Sequence, residues 1–265
     1  MTVLRVGDVV AAMDGLFPPA SAQPWDRVGL VVGDAETIVE RIGFAVDPCE
    51  ATVSEAIERD AQLLVTHHPL YLRGTHAITS GSAKGRWTMA LVRAGVSLFA
   101  AHTNADVAAS TFALADLLGV RIERALEEET GIGGVGELGE SMRLADFAAK
   151  VAAVLPSVPA GILAAGDPER EIRTVAICSG AGDSLLAEAD SAGAGVYLTS
   201  DLRHHPATDH LWNSGCALIS ATHWASEWPL LGVMARRLAD ALGDDAPDAY
   251  VSEIPTDPWN IAIRQ

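Results

Sequence analysis

Six of the chain's 8 histidines stand at the ends of short apolar runs. His67-His68 close the run Leu63-Leu64-Val65-Thr66, and His204-His205 follow Val196-Tyr197-Leu198-Thr199-Ser200-Asp201 after Leu202 and Arg203. His102 ends Val96-Ser97-Leu98-Phe99-Ala100-Ala101, and His223 ends Ala217-Leu218-Ile219-Ser220-Ala221-Thr222. Neutral imidazole is the commonest protein metal ligand and moves protons near neutral pH. In open α/β sheets the strand exits line the binding crevice. Metal-assisted or acid–base chemistry is therefore the expectation.

Two carboxylates join this set. Asp106 closes His102-Thr103-Asn104-Ala105-Asp106, and Glu227 follows His223 at i, i+4, which stacks the two side chains on one face of a helix beginning there. Either acid taken alone reads as an ordinary helix-start residue. With the histidines, His67, His68, Asp106, His223 and Glu227 become five candidate ligands for a pair of divalent cations that keep positions open to water. His102 suits proton donation or the orientation of a ligand, and His204 and His205 suit the lining of the same cavity from the second half. His76 and His210 read as surface or structural.

The elements that carry these residues follow from patterning. Ile42–Val46 and Gln62–Thr66 read as strands around a helix that continues over Ala51–Asp60, with Asp47 as its N-cap and Pro48 in its first turn. A second strand-helix-strand unit runs over Thr174–Cys178, Ser184–Ala192 and Val196–Thr199. Aligning Thr66 with Thr199 and Ile42 with Val175 gives the same offset, 199 − 66 = 175 − 42 = 133, which implies an internal duplication. The expected fold is α/β, with two related domains: 1–124 plus about 207–265 carrying the metal site, and about 125–206 as the second. Helical patterning also covers Leu144–Val154 and Glu227–Leu242, where Pro229 is expected near the first turn.

Composition narrows the classes. A chain of 265 residues with 49% hydrophobic and 20% charged residues is globular and can bury one large core or two. Its 35 acidic residues outnumber 18 basic ones, and the basic residues are scattered, so nucleic acid and anionic membranes are poor partners for it. Cys49, Cys178 and Cys216 are widely spaced and odd in number, which suits reduced thiols. No signal peptide or bilayer-length apolar run is apparent, so a cytoplasmic location is expected.

Six ordered motifs then become specific: Trp25-Asp26-Arg27-Val28-Gly29-Leu30-Val31-Val32-Gly33, Thr66-His67-His68-Pro69-Leu70, His102-Thr103-Asn104-Ala105-Asp106, Gly131-Ile132-Gly133-Gly134-Val135-Gly136-Glu137-Leu138, Thr199-Ser200-Asp201 with His204-His205, and Thr222-His223-Trp224-Ala225-Ser226-Glu227. From about Val6 to Ile263 the chain resembles the Nif-three-like family, the GTP cyclohydrolase I type 2 homologues or dinuclear-metal-centre proteins. The resemblance implies two interlocked α/β domains, a homohexameric ring, and two divalent ions per subunit (zinc, iron, manganese, cobalt or nickel). Its ligand positions fall on His67, His68, Asp106, His223 and Glu227. Arg27, Ser200 and Thr222 depart from the family pattern, where Asn, Gly and Gly are usual, and none of them is a ligand position.

Gly131 to Gly136 also satisfies G-x-G-x-x-G, but it follows Glu127-Glu128-Glu129 instead of a strand, so these glycines read as turn and close-packing positions. No phosphate-binding G-x-x-x-x-G-K-[ST] occurs. The expected function is a metal-dependent hydrolase acting on a small molecule such as a nucleotide or phosphoester, with His102 or His205 protonating the leaving group. The alternative is a metal-binding storage or scaffold ring without turnover.

Overall fold

In chain order the strands are β1 (Gly29–Val32), β2 (Arg41–Ala45), β3 (Leu63–Thr66), β4 (Ser97–Ala100), β5 (Val120–Ala125), β6 (Gly134–Arg143), β7 (Leu163–Ala165), β8 (Glu171–Ala181), β9 (Val196–Ser200), β10 (Ala217–Ala221) and β11 (Asp248–Val251). This computed structural model describes residues 3–263. The strands form two sheets, ordered β1-β4-β3-β2-β11 and β5-β6-β8-β9-β10-β7. The chain divides into two units, Met1–Ala108 with Leu231–Thr256, and Ala109–Leu230 with Asp257–Gln265.

In the first unit β11, β2, β3 and β4 are parallel and β1 is antiparallel on the edge. Parallel neighbours need helical crossovers, supplied by Glu50–Glu58 between β2 and β3 and by Ala83–Ala94 between β3 and β4. One face of the sheet packs Val53 and Ala56 of the first helix and Leu91 of the second against Leu64 and Leu98.

The second unit shares with this sheet a parallel centre and an antiparallel neighbour beyond its last parallel strand. β8, β9 and β10 are parallel, linked by the helices Leu186–Ser191 and His204–Asn213, with β6 and β7 antiparallel outside them. Val175, Ile177, Val196, Leu198 and Ile219 enter one buried cluster with Phe147 and Val151, while Ala176, Cys178, Tyr197 and Leu218 enter another with Leu186 and Ala189. Period-two alternation between two buried faces is what a helix-covered parallel sheet requires. The offset of 133 carries Leu63–Thr66 onto 196–199, within β9.

Three local expectations need correction. The unit boundaries fall at 108/109 and 230/231, outside the expected 125 and 206. Leu114 and Leu118 of the helix Thr111–Leu118 belong to the core around β8, and β10 pairs with β9 along its length. Asp47 does not cap the helix that follows; Cys49 is its N-cap, and the Thr52 hydroxyl accepts the Cys49 N–H. Pro229 lies inside the helix His223–Leu242, beyond its first turn, where it forfeits the hydrogen bond to the Ala225 carbonyl. The glycine-rich motif is the β5–β6 turn, with Gly131 and Gly133 at φ of 76° and 69°, and it leads into a strand.

Candidate metal centre

Register sets the first group of donors. Ala45 pairs with Thr66 and Thr66 with Ala100, so β2, β3 and β4 end level. Past the strand ends, His67 N–H donates to the Ala45 carbonyl and His68 N–H to the Val46 carbonyl, which fixes both residues at one edge. The Nδ1 of His67 lies 2.9 Å from the Ala101 carbonyl. A carbonyl can only accept, so Nδ1 carries a proton and Nε2 is the nitrogen turned away from the backbone.

Two more imidazoles are held in the same way by carboxylates. His68 Nδ1 is 2.7 Å from Asp47 Oδ1, and the other Asp47 oxygen accepts the Thr256 hydroxyl. His102 Nδ1 is 2.9 Å from Asp26 Oδ1. Burial would raise the Asp26 carboxyl, but hydrogen bonds from His102 and Thr103 hold it well below the ordinary range. Besides His102 it accepts Arg27 N–H at 2.7 Å, Thr103 N–H at 3.0 Å and the Thr103 hydroxyl at 2.6 Å. One ring nitrogen from each of His67, His68 and His102 lies within 4.8 Å of the others. Ring centroids are 5.0 Å apart for His67 and His68 and 5.1 Å apart for His67 and His102, and Trp25 meets His102 edge-on at 5.9 Å. Asp106 begins a π-helical turn, Asp106–Ser110, with its N–H donating to the His102 carbonyl. Its Oδ1 is 3.5 Å from His67 Nε2.

The second unit carries a matching arrangement. Ala221 pairs with Ser200, so Asp201 and the start of the long helix leave the sheet together. His223 Nδ1 is 2.6 Å from Asp201 Oδ2, and His223 Nε2 is 2.9 Å from Glu227 Oε1. Glu227 is nearly buried, with its side chain 4% exposed. With a carboxylate against each ring nitrogen, the pair requires positive charge: an imidazolium or a bound cation. Asp201 takes φ 55°, a left-handed conformation that costs a non-glycine residue about 1–2 kcal/mol. Gly180, at φ 69°, leaves the room that Glu227 fills, since a Cβ there would lie 2.3 Å from Oε1. The Ser226 hydroxyl accepts Gly180 N–H at 2.9 Å and meets the Ser200 hydroxyl at 3.0 Å, so the unusual Ser200 is part of the support.

His67, His68, His102 and Asp106 are thus brought together in one unit, and His223 with Glu227 in the other. Imidazole with carboxylate is a donor set that fits a divalent first-row cation, and hydrogen bonds at Nδ1 aim Nε2 outward as metal-ligating histidines require. His204 and His205 meet edge-to-face at 5.1 Å on the exposed first turn of their helix, and neither belongs to the His67 group. His76 is exposed, and His210 is buried with Nε2 3.0 Å from the Cys216 carbonyl. Sequence reasoning missed the three holding carboxylates Asp26, Asp47 and Asp201, although two of them stand inside quoted motifs. No helix among the described residues is long and apolar enough to cross a membrane.

Comparison with known proteins completes the picture. A family profile described as Duf34/NIF3 (NGG1p interacting factor 3) matches residues 4–258. A protein of Streptomyces coelicolor named GTP cyclohydrolase 1 type 2 homolog is 43% identical over 271 residues, covering 98% of this chain and 95% of its own length. A Mycobacterium tuberculosis protein of the same name is 31% identical over 371 residues, covering 97% of each. A crystal structure of a Bacillus cereus protein related to NIF3 superposes with a TM-score of 0.90 at 20% identity, over 99% of this chain and 100% of that one. A Staphylococcus aureus hypothetical protein superposes at 0.88 with 25% identity, over 98% of this chain and 100% of its own.

Proposed function

The chain belongs to the Duf34/NIF3 family, and from that premise we propose that it is a dinuclear metal-dependent hydrolase of small molecules. His67, His68, Asp106, His223 and Glu227 are the proposed ligands. The observation that supports this reading is the Nδ1 contact of His67, His68 and His223 with an oxygen acceptor, which turns each Nε2 outward as the atom a cation could take. Divalent ions held there would supply the Lewis acidity that activates water at neutral pH.

The chain's own groups do the rest. Asp47, Asp201 and the Ala101 carbonyl set ring orientation and keep each imidazole a good donor. His102, gripped at Nδ1 by Asp26, presents Nε2 as the group that would hand a proton to a leaving group. His205 is the second candidate for that proton, from the exposed helix start. The names of the relatives favour a purine nucleotide among the substrates, GTP first. A cytoplasmic homohexamer is the proposed assembly, checked by light scattering.

The test is metal content and turnover measured together. Wild-type protein, His67→Ala and Glu227→Ala are purified without added metal, assayed for elements, reloaded, and offered GTP, other nucleotides, phosphoesters and cyclic amides. The reading expects two ions per chain in the wild type, fewer in both variants, and turnover that falls with them. Full occupancy without turnover of any compound would overturn the hydrolase reading in favour of a storage or scaffold ring, and variants that keep both ions would overturn the ligand assignment.

A further inference from the structure

An open surface depression lies in the second unit, with a volume of about 230 Å³, lined by Arg124, Leu126, Glu128, Ala187, Glu188, Ser191 and Ala192. None of these residues is a candidate metal ligand, and the depression is formed by the end of β5, the turn after it and the helix Leu186–Ser191. Arg124 and Glu128 stand exposed at its rim, and Glu188 is half-buried. Arg121 is paired with Glu123 and Arg173 with Glu137, whereas Arg124 enters no ion pair among the described residues. Glu188 Oε2 is buried without a hydrogen-bond partner. A carboxylate with one oxygen stripped of water and unbonded is costly unless a donor or cation reaches its other oxygen. The depression is the place from which such a group can come.

We propose that this depression binds a free α-amino acid. The ligand's ammonium would meet Glu188, assisted by Glu128, and its carboxylate would meet the Arg124 guanidinium, which suits two-pronged carboxylate recognition. Ser191 adds a hydroxyl, and Leu126, Ala187 and Ala192 provide an apolar wall for a small side chain. The volume lies below the roughly 300 Å³ at which pockets for drug-sized ligands begin. A molecule with both charges on adjacent carbons therefore fits better than a nucleotide or a peptide. A lone cation would leave Arg124 unsatisfied, and a lone anion would face two carboxylates.

Isothermal titration of the full-length protein with each of the twenty common l-amino acids, in metal-loaded and metal-free form, tests this. The expected result is saturable one-to-one binding of at least one amino acid with a small side chain. Its methyl ester, its N-acetyl form and the matching simple amine should bind at least about tenfold more weakly, as should the variants Glu188→Gln and Arg124→Ala to the parent amino acid (about 1.4 kcal/mol each). Far-UV dichroism and melting confirm that both variants fold, and Glu188→Gln is isosteric. Failure of all twenty to bind, binding indifferent to both substitutions, or equal affinity for the simple amine would each overturn the proposal. Because the histidines are untouched, an intact metal content accompanies any of these outcomes.

Discussion

Replacing Asp26 by Asn would measure how firmly the imidazole cluster is held. The Asp26 side chain has 0% exposed surface and accepts hydrogen bonds from Arg27 N–H, His102 Nδ1–H, Thr103 N–H and the Thr103 hydroxyl. An amide offers one oxygen. Turned to keep Arg27 and His102, it sets its NH2 against the Thr103 N–H; turned the other way, it opposes the other two donors. The better orientation orphans one buried backbone donor, which costs about 1–3 kcal/mol, and weakens two bonds that had been charge-assisted. Relief of the buried charge offsets part of this, leaving a loss of about 2–4 kcal/mol at neutral pH. The pH dependence has a definite sign. The folded carboxyl is held well below its ordinary 3.8, so its contribution is present above about pH 4 and disappears as acid approaches the lower folded value. Urea midpoints of wild type and Asp26→Asn should therefore lie far apart at pH 7 and draw together at pH 3. A difference under about 1 kcal/mol at pH 7, or one that does not shrink in acid, would refute the reasoning.

Three other perturbations have clear outcomes. Gly180→Ala places a Cβ 2.3 Å from Glu227 Oε1 on a backbone at φ 69°, so melting temperature and metal stoichiometry should both fall, and unchanged values in the two measurements would contradict that account. Asp201→Gly relaxes a left-handed residue while removing the support of His223, so thermal stability should hold or rise slightly as metal affinity drops about 10–100-fold in a competition titration. A parallel fall in both would mean that Asp201 matters to the fold alone. Burial pushes the Cys216 thiol up to about 12 from 9.0, so it should resist a thiol reagent in the native state, with half-buried Cys49 labelled first, and stability should decline as pH rises from about 9 towards 12.

Much of the architecture was legible because it rests on local patterning. The helix Leu144–Val154 and the strand ends at Thr66 and Thr199 or nearby follow from periodicity and turn residues alone. The gathering of His67, His68 and Asp106 followed from strand-exit logic. The holding carboxylates did not, because pairing of Asp26 with His102 spans 76 residues and depends on how β1 lies against β4. Asp47 was misread for a physical reason. An Asp before Pro ahead of a helical run is an ordinary cap, yet here a His at the neighbouring strand exit and the Thr256 hydroxyl compete for the same carboxylate and win. Pro229 misled in the opposite direction, since packing of Leu230, Leu231 and Met234 into the core outweighs one lost backbone bond. β11 and β7 lack a buried apolar run, their residues being exposed or half-buried, so no strand pattern marks them.

The position of β11 has a consequence for synthesis. Ribosomes release the amino-terminal portion first, but the sheet that begins with β1 cannot gain its last edge until residues 248–251 have emerged. The strands β5 to β10, by contrast, are contiguous in translation and can close while the carboxy-terminal helix is still in the exit tunnel. The nascent polypeptide is thus expected to mature from its middle outwards, with its earliest segment waiting unfinished, a reversal of the usual vectorial order.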